Sequence, residues 1–128
     1  MTQLRSVFKA LSDLNRLRIV NILSHQSLCV GDLQGVLGLP QSLISRHLAY
    51  LRRAGLVRNQ RAGARVNYSL ALDGPLGVAL SSFLGEALPL SETFRADSAR
   101  LRECLRAGQL RSAALHIAGE ETQSLRAA

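Results

Sequence analysis

Apolar residues recur at helical spacing along the first quarter of the chain. In residues 3–11 they follow the i, i+3, i+4, i+7 pattern that predicts an amphipathic helix. A second apolar stripe extends to about Leu23, and either Ser12 or Asp13 can cap the helix at its start. The stretch HQSL then forms a short connector.

Two short helices joined by a tight turn are predicted next. Residues 30–37, VGDLQGVL, form the first helix, and Gly38 is the expected stop after it. A turn at Pro40 leads to a second helix that Ser42 caps and that runs to Gly55. Two short helices with glycine in the connection are typical of a helix-turn-helix.

Beyond Gly55 the pattern changes from helical to alternating. LVRNQ and RVNYSL alternate apolar and polar residues and contain the β-branched and aromatic side chains that favour strands. Gly63 supplies a turn between them. The pattern therefore predicts a β-hairpin whose tip carries Arg61 and Arg65.

Two more helices are predicted after a break at Asp73-Gly74-Pro75. Residues 76–88 are apolar on most sides, which favours a helix buried against a copy of itself. Residues 91–106 form an amphipathic helix with Cys104 on its apolar side.

The pattern divides the chain into two parts. Residues 1–106 form one helix-turn-helix domain with an appended C-terminal helix, and residues 107–128 form a weakly patterned tail. The tail can form a short helix near residues 110–117.

The composition indicates the size of the fold and the cellular compartment. The chain has 128 residues, 47% of them hydrophobic, which suits one domain with a core. No apolar run approaches the roughly 20 residues that span a bilayer, and the N-terminus lacks the apolar segment of a secretory signal. We therefore expect a cytoplasmic protein with no membrane partner. Cys29 and Cys104 are too few for a disulfide framework and are expected to be thiols.

Charge indicates a polyanionic partner. The net charge is +7, and residues 42–70 contain six arginines and no acid. A solvated basic face would also explain this stretch, but localised basic charge is the usual footprint of nucleic acid. Three Phe, two Tyr and no Trp argue against single-strand binding by base stacking.

The helix that starts near Ser42 has a second, polar face. Ile44, Leu48 and Leu51 fall on one side and are expected to pack inward. An ordinary amphipathic surface helix would show the same two faces. Here, however, a helix cap, a tight turn, a β-hairpin and a basic hairpin tip follow one another in the sequence, which favours a DNA-binding helix. The polar face suits the DNA major groove, with Gln41 reading adenine and Arg46 reading guanine. The residues expected to contact DNA from this helix are Gln41, Ser42, Ser45, Arg46, Arg52 and Arg53.

These runs resemble a known family. FKALSDLNRLRIVNIL and DLQGVLGLPQSLISRHLAYLRRAGLVRNQRAGARVNYSL are similar to the entry helices and winged helix-turn-helix of the ArsR/SmtB (arsenic-repressor) family of bacterial repressors. The resemblance covers roughly residues 4–88. It implies a mainly α fold with a small β-hairpin, dimerisation through the first and fifth helices, binding to an inverted repeat in double-stranded DNA, and release by a ligand. Matched by position, Gln41, Ser42, Ser45 and Arg46 are recognition contacts, and Arg61 and Arg65 form the basic wing.

The resemblance makes Cys29 a candidate sensor residue. Arsenic-responsive members read E-L-C-V-C-D-L-C here, and their thiolates bind trivalent arsenic or antimony. In this chain Cys29 matches the first cysteine, while Gly31 and Gln34 replace the other two. Cys104 is the candidate second ligand for arsenic, antimony or a trivalent organoarsenical acting as inducer, with no tightly bound cofactor.

Other interpretations of the cysteines stay open. Cys29 and Cys104 could form a reversible disulfide or persulfide, or could be packing residues in a regulator that has lost its metalloid site. Residues 73–92 contain no histidine, which argues against the family's zinc, cobalt or nickel site.

Two other classes compete with a repressor. An enzyme is disfavoured because the carboxylates are scattered and no histidine neighbours Cys29. A winged helix that binds protein is disfavoured by the acid-free arginine stretch.

Overall fold

Residues 2–112 are described by the computed structural model of this chain, and they form six α-helices, three strands and one 3-10 turn. The mainly helical fold with a small hairpin is confirmed. The elements are α1 (Thr2–Leu11), α2 (Leu14–His25), β1 (Leu28–Cys29), α3 (Val30–Leu37), α4 (Gln41–Arg53), β2 (Val57–Ala62), β3 (Arg65–Leu70), α5 (Gly74–Ala87), the 3-10 turn (Leu88–Leu90) and α6 (Glu92–Arg106).

The hairpin gains a third strand that the sequence pattern did not predict. The order in the sheet is β1-β3-β2, with both pairings antiparallel. In the added strand, Leu28 pairs with Tyr68 and Cys29 pairs with Asn67. Two residues are too short a run to show alternation, so the pattern reads as a connector. Cys29 therefore ends a strand and immediately precedes α3.

Helix ends follow the expected chemistry with one correction. Asp13 caps α2 by accepting a hydrogen bond from the Arg16 backbone N–H at 3.1 Å. Gly38 ends α3 with a positive φ of 67°, which glycine adopts at little cost. The prediction that Ser42 caps α4 is wrong. The helix begins at Gln41, and the preceding Pro40 takes the cap position because its fixed φ and missing N–H suit a helix start.

The core lies where α2, α3, α4, α6 and the sheet meet. The predicted inward stripe of α4 is buried there, with Ile44 and Leu51 fully inaccessible. The short predicted helix near residues 110–117 is not found over residues 110–112, and its remainder lies outside the described residues.

A partly buried ion pair and a neighbouring hydrogen bond of the same arginine tie three helices together. The Arg18 Nε on α2 donates to Asp97 on α6 at 2.8 Å, and an Arg18 Nη donates to the Leu37 carbonyl of α3 at 2.9 Å. The hydrogen bond to Asp97 raises the pKa of Arg18. These bonds fix α3, the first helix of the helix-turn-helix, against α2 and α6.

α1 and α5 each bury one side and expose apolar residues on the other. On α1, Val7 and Ala10 are buried while Phe8 is 60% exposed. On α5, Leu84 is buried while Phe83 is 62% exposed. Among the described helices, none has the length and apolar character to cross a membrane.

Candidate nucleic-acid interface

The turn between α3 and α4 sets the orientation of the candidate recognition helix. Only Gly38, Leu39 and Pro40 separate the two helices, and α4 packs its stripe of Ile44, Leu48 and Leu51 against the core. The opposite face of α4 is therefore left to solvent. Every DNA-contact residue predicted on this helix is exposed, namely Gln41, Ser42, Ser45, Arg46, Arg52 and Arg53.

The hairpin presents two further predicted residues. β2 and β3 pair in register from Val57 with Leu70 to Ala62 with Arg65, and Gly63 turns the chain with a φ of 64°. Arg61 and Arg65 are exposed at this tip. We call the six residues of α4 together with Arg61 and Arg65 the basic surface.

The arginines of the basic surface are not neutralised by acids within residues 2–112. The ion pairs in that range are Arg18 with Asp97 and Arg58 with Asp73, and Asp13 faces His47 at 3.8 Å and no arginine of the basic surface. Of the six arginines in residues 42–70, only Arg58 is paired with a carboxylate there. The surface therefore keeps its positive charge available for an anionic partner.

An arginine and a tyrosine connect the inner side of α4 to α2. The Arg16 guanidinium lies 4.1 Å from the centre of the Tyr50 ring, and that of Arg53 lies 5.8 Å from the same ring. These distances are typical of cation–π contacts. The Arg16 Nε also donates to the Ala10 carbonyl at 2.6 Å, which joins α1 to this arrangement.

His47 is buried on α4 and has a structural role. Its Nδ1 lies 3.5 Å from an Arg16 Nη, and its Nε2 lies 3.8 Å from Asp13. Burial lowers the pKa of His47, and this outweighs the Asp13 carboxylate, which acts in the opposite direction. The ring is therefore neutral at physiological pH and does not add charge to the basic surface.

The two cysteines lie in different environments. Cys104 is buried in the apolar core on α6, whereas Cys29 is buried beside polar groups at the start of α3. The Cys29 backbone N–H donates to the Ser112 Oγ at 2.8 Å, and the Ser112 hydroxyl in turn donates to the Asp32 carboxylate. The described residues contain no group of three or more His, Cys, Asp or Glu side chains suited to a metal ion.

Sequence reasoning missed Ser112, which bonds the Cys29 backbone, and Asp32, which holds Ser112 in place. Asp32 reads from the sequence as one scattered carboxylate, yet it is 4% exposed and accepts from the backbone and hydroxyl of Ser112. The available signal was that Asp32 is the one charged residue of this short, largely apolar helix. No sequence pattern points to its partner Ser112, which lies 80 positions away.

The helix-turn-helix, the flanking hairpin and the basic surface define a winged helix-turn-helix protein. Residues 13–59 match the family model described as bacterial regulatory protein, arsR family. Together with the solved structure of HlyU from Vibrio cholerae, described in the next paragraph, this match shows that the chain belongs to the ArsR/SmtB family. Members of the family are transcriptional regulators and not enzymes.

Three similar proteins give the extent of the likeness. HlyU from Vibrio cholerae superposes with a TM-score of 0.58 at 35% identity, over 65% of this chain and 88% of that one. The homodimeric winged helix-turn-helix DNA-binding domain of Mb0332 from Mycobacterium bovis superposes with a TM-score of 0.59 at 28% identity, over 66% of this chain and 76% of that one. The arsenical resistance operon repressor of Escherichia coli is 47% identical over 66 residues, which is 51% of this chain and 56% of that protein. The chain spans about half the length of the curated relatives it matches, between 52% and 60% for the first four.

Proposed function

We propose that this chain is a DNA-binding transcriptional repressor that acts as a homodimer on an inverted repeat. The observation that carries the proposal is the basic surface. It is exposed on one face of α4 and at the hairpin tip, and no acid neutralises its arginines within residues 2–112.

Each part of the basic surface has a distinct task. The first turns of α4 enter the major groove, where the amide of Gln41 and the guanidinium of Arg46 can each bond a base edge bidentately. Arg52 and Arg53 follow toward the end of α4 and bind phosphates. Arg61 and Arg65 extend the contact along the DNA from the wing. Phosphate contacts supply affinity, whereas base contacts supply sequence preference.

Exposed apolar residues support the homodimer. Phe8 on α1 and both Val78 and Phe83 on α5 are between 60% and 66% exposed, although large apolar side chains are usually buried. Burial of these faces against a second copy would remove them from water. The homodimeric state of the Mycobacterium bovis domain agrees with this assembly.

The proposal predicts that Arg46→Ala abolishes sequence-specific binding and leaves the fold intact. Losing a bidentate base contact costs about 1–3 kcal/mol per half-site. The measurement is fluorescence anisotropy on the DNA upstream of the chain's own gene, across a series of salt concentrations. Arg100→Ala is the matched control, because it removes the same charge from an exposed site on α6.

Two outcomes would contradict the proposal that α4 reads DNA. If Arg46→Ala binds as tightly and as selectively as the wild type, α4 is not the recognition helix. If wild-type affinity for DNA does not fall with salt, phosphates are not being neutralised, and a protein partner becomes the better explanation.

The proposed signal for release is a thiophilic ligand at Cys29, such as trivalent arsenic, antimony or an organoarsenical, with Cys104 as the second thiol. The position of Cys29 supports this signal. Cys29 lies at the start of α3 and pairs with Asn67 of β3, so a ligand bound there would act directly on both elements. A disulfide or persulfide signal is the alternative, and so is a regulator whose metalloid site has been lost.

Adding arsenite and then phenylarsine oxide to the protein–DNA complex in reductant tests this signal. We expect an arsenical to reverse binding in the wild type and to have no effect in Cys29→Ser. A wild-type complex that neither compound changes would reject the metalloid signal and leave the oxidative one, which peroxide or polysulfide treatment without reductant would test.

A further inference from the structure

Residues 109–112, which we call the C-terminal latch, fold back over α3. The chain reverses after α6 at Gly108, whose φ is 66°, and the Gln109 N–H donates to the Cys104 carbonyl at 3.0 Å. Leu110 is then buried in the core, and Ser112 is fully buried. A segment outside the predicted domain thus becomes part of it.

A single buried carboxylate holds the latch. Asp32 accepts hydrogen bonds from the backbone N–H groups of Arg111 at 2.8 Å and Ser112 at 2.7 Å, and from the Ser112 hydroxyl. Buried charges are stable only when they are paired or extensively hydrogen-bonded, so these donors determine whether Asp32 stays buried.

The latch also reaches β1 and the wing. The Ser112 Oγ accepts the Cys29 backbone N–H at 2.8 Å, while the Arg65 Nη1 donates to the Arg111 carbonyl at 2.6 Å. The Arg111 guanidinium lies 3.9 Å from the position that a Cβ on Gly31 would occupy. The latch therefore passes over the start of α3 and is bonded to the base of the helix-turn-helix on one side and to the wing on the other.

We propose that the latch positions the wing against α3 for DNA binding and, by covering Cys29, controls the access of thiol-reactive ligands to it. Asp32 and Ser112 act as positioning residues in this arrangement. The part that concerns DNA rests on the proposed function, whereas the part that concerns Cys29 does not. Opening the latch would at once expose the thiol and release Arg65 from its carbonyl partner.

The reaction of the two cysteines with iodoacetamide, followed by peptide mass spectrometry on the full-length chain, tests the proposal. Cys104 is an internal control for opening of the core, because its side chain is buried there. We expect Ser112→Ala to increase the Cys29 rate about tenfold with the Cys104 rate unchanged, since it removes two hydrogen bonds of the latch. Ser24→Ala, at an exposed position on α2, is the matched control.

Equal Cys29 rates in Ser112→Ala and the wild type would overturn the proposal. A parallel rise at Cys29 and Cys104 would also overturn it, because Ser112 would then stabilise only the fold as a whole.

Anisotropy on the upstream DNA tests the wing separately. We expect Ser112→Ala to weaken binding several-fold relative to Ser24→Ala. If Cys29 becomes reactive while DNA affinity stays unchanged, the latch does not position the wing. If the wild type binds no DNA, the proposed function fails, and the alkylation result still decides whether the latch covers Cys29.

Discussion

Individual aspartates determine which positive charges stay free. Asp97 is satisfied by Arg18 in the interior, and Asp32 is satisfied by the latch. At the surface, Asp73 pairs with Arg58. Because these acids are engaged with other groups, none of them offsets the basic surface, and the positive potential at α4 and the wing follows from where the acids lie.

Asp32 should also make stability depend on pH. Burial raises its pKa, but the hydrogen bonds from Ser112 and Arg111 prevail and hold the pKa below its usual value. A carboxyl group with a lowered folded pKa stabilises the fold above its unfolded pKa of about 3.9, and this stability is lost as pH falls through the folded pKa. We therefore expect Asp32→Asn to be less stable than the wild type at pH 6 and the difference to shrink toward pH 3.

Urea denaturation at both pH values measures this difference. Asp73→Asn, a change in an exposed aspartate, is the control measured alongside. A gap between Asp32→Asn and the wild type that is the same at pH 6 and pH 3 would mean that the charge of Asp32 does not hold the latch.

Local periodicity explains which residues the sequence could predict. The faces of α4 follow from the 3.6-residue repeat, so Ile44 was correctly placed inside and Arg46 outside. The predicted Ser42 cap was wrong because the helix begins earlier, at Gln41, which puts Pro40 at the N-cap and Ser42 inside the first turn. The bonds from Ser112 to Asp32 join residues 80 positions apart, and no local pattern encodes such a contact.

Among the elements, α5 is attached to the rest of the chain by a close backbone contact. A Cβ on Gly77 would lie 2.3 Å from the carbonyl carbon of Leu72, so the start of the helix fits only if this position is glycine. Leu84 is the other buried residue of α5. The orientation of this helix, and with it of the exposed Phe83, therefore depends on one small residue.

Gly77→Ala is expected to destabilise the fold by about 1–3 kcal/mol, because the added methyl group must displace backbone. Gly85→Ala is a matched control on the same helix, since its Cβ would meet no atom within 4 Å. That control should be stabilising by up to about 1 kcal/mol, as alanine favours helix over glycine. Thermal unfolding monitored by circular dichroism compares the two, and equal stability of both variants would contradict this contact.

The sequence predicted the elements unevenly. Every helix from α1 to α6 was expected near its observed position, because each spans at least two turns of a repeating pattern. β1 was missed because two residues carry no period, although it places Cys29 on the sheet.

At the scale of the whole molecule, the proposed repressor needs two faces on one chain. The basic surface would meet DNA, and the apolar residues of α1 and α5 would meet a second copy. A two-fold dimer would present two copies of α4, which fits two half-sites separated by about 34 Å or a multiple of it. An inverted repeat in the target DNA is the expected counterpart of that symmetry.

Hydroxyl-radical footprinting of the full-length protein on its own upstream DNA tests this account most directly. We expect two protected half-sites related by a two-fold axis and centred one helical turn, or a whole number of turns, apart, with Arg46→Ala losing both together. Uniform protection without boundaries, or one unpaired half-site, would contradict a dimeric repressor that reads an inverted repeat through α4.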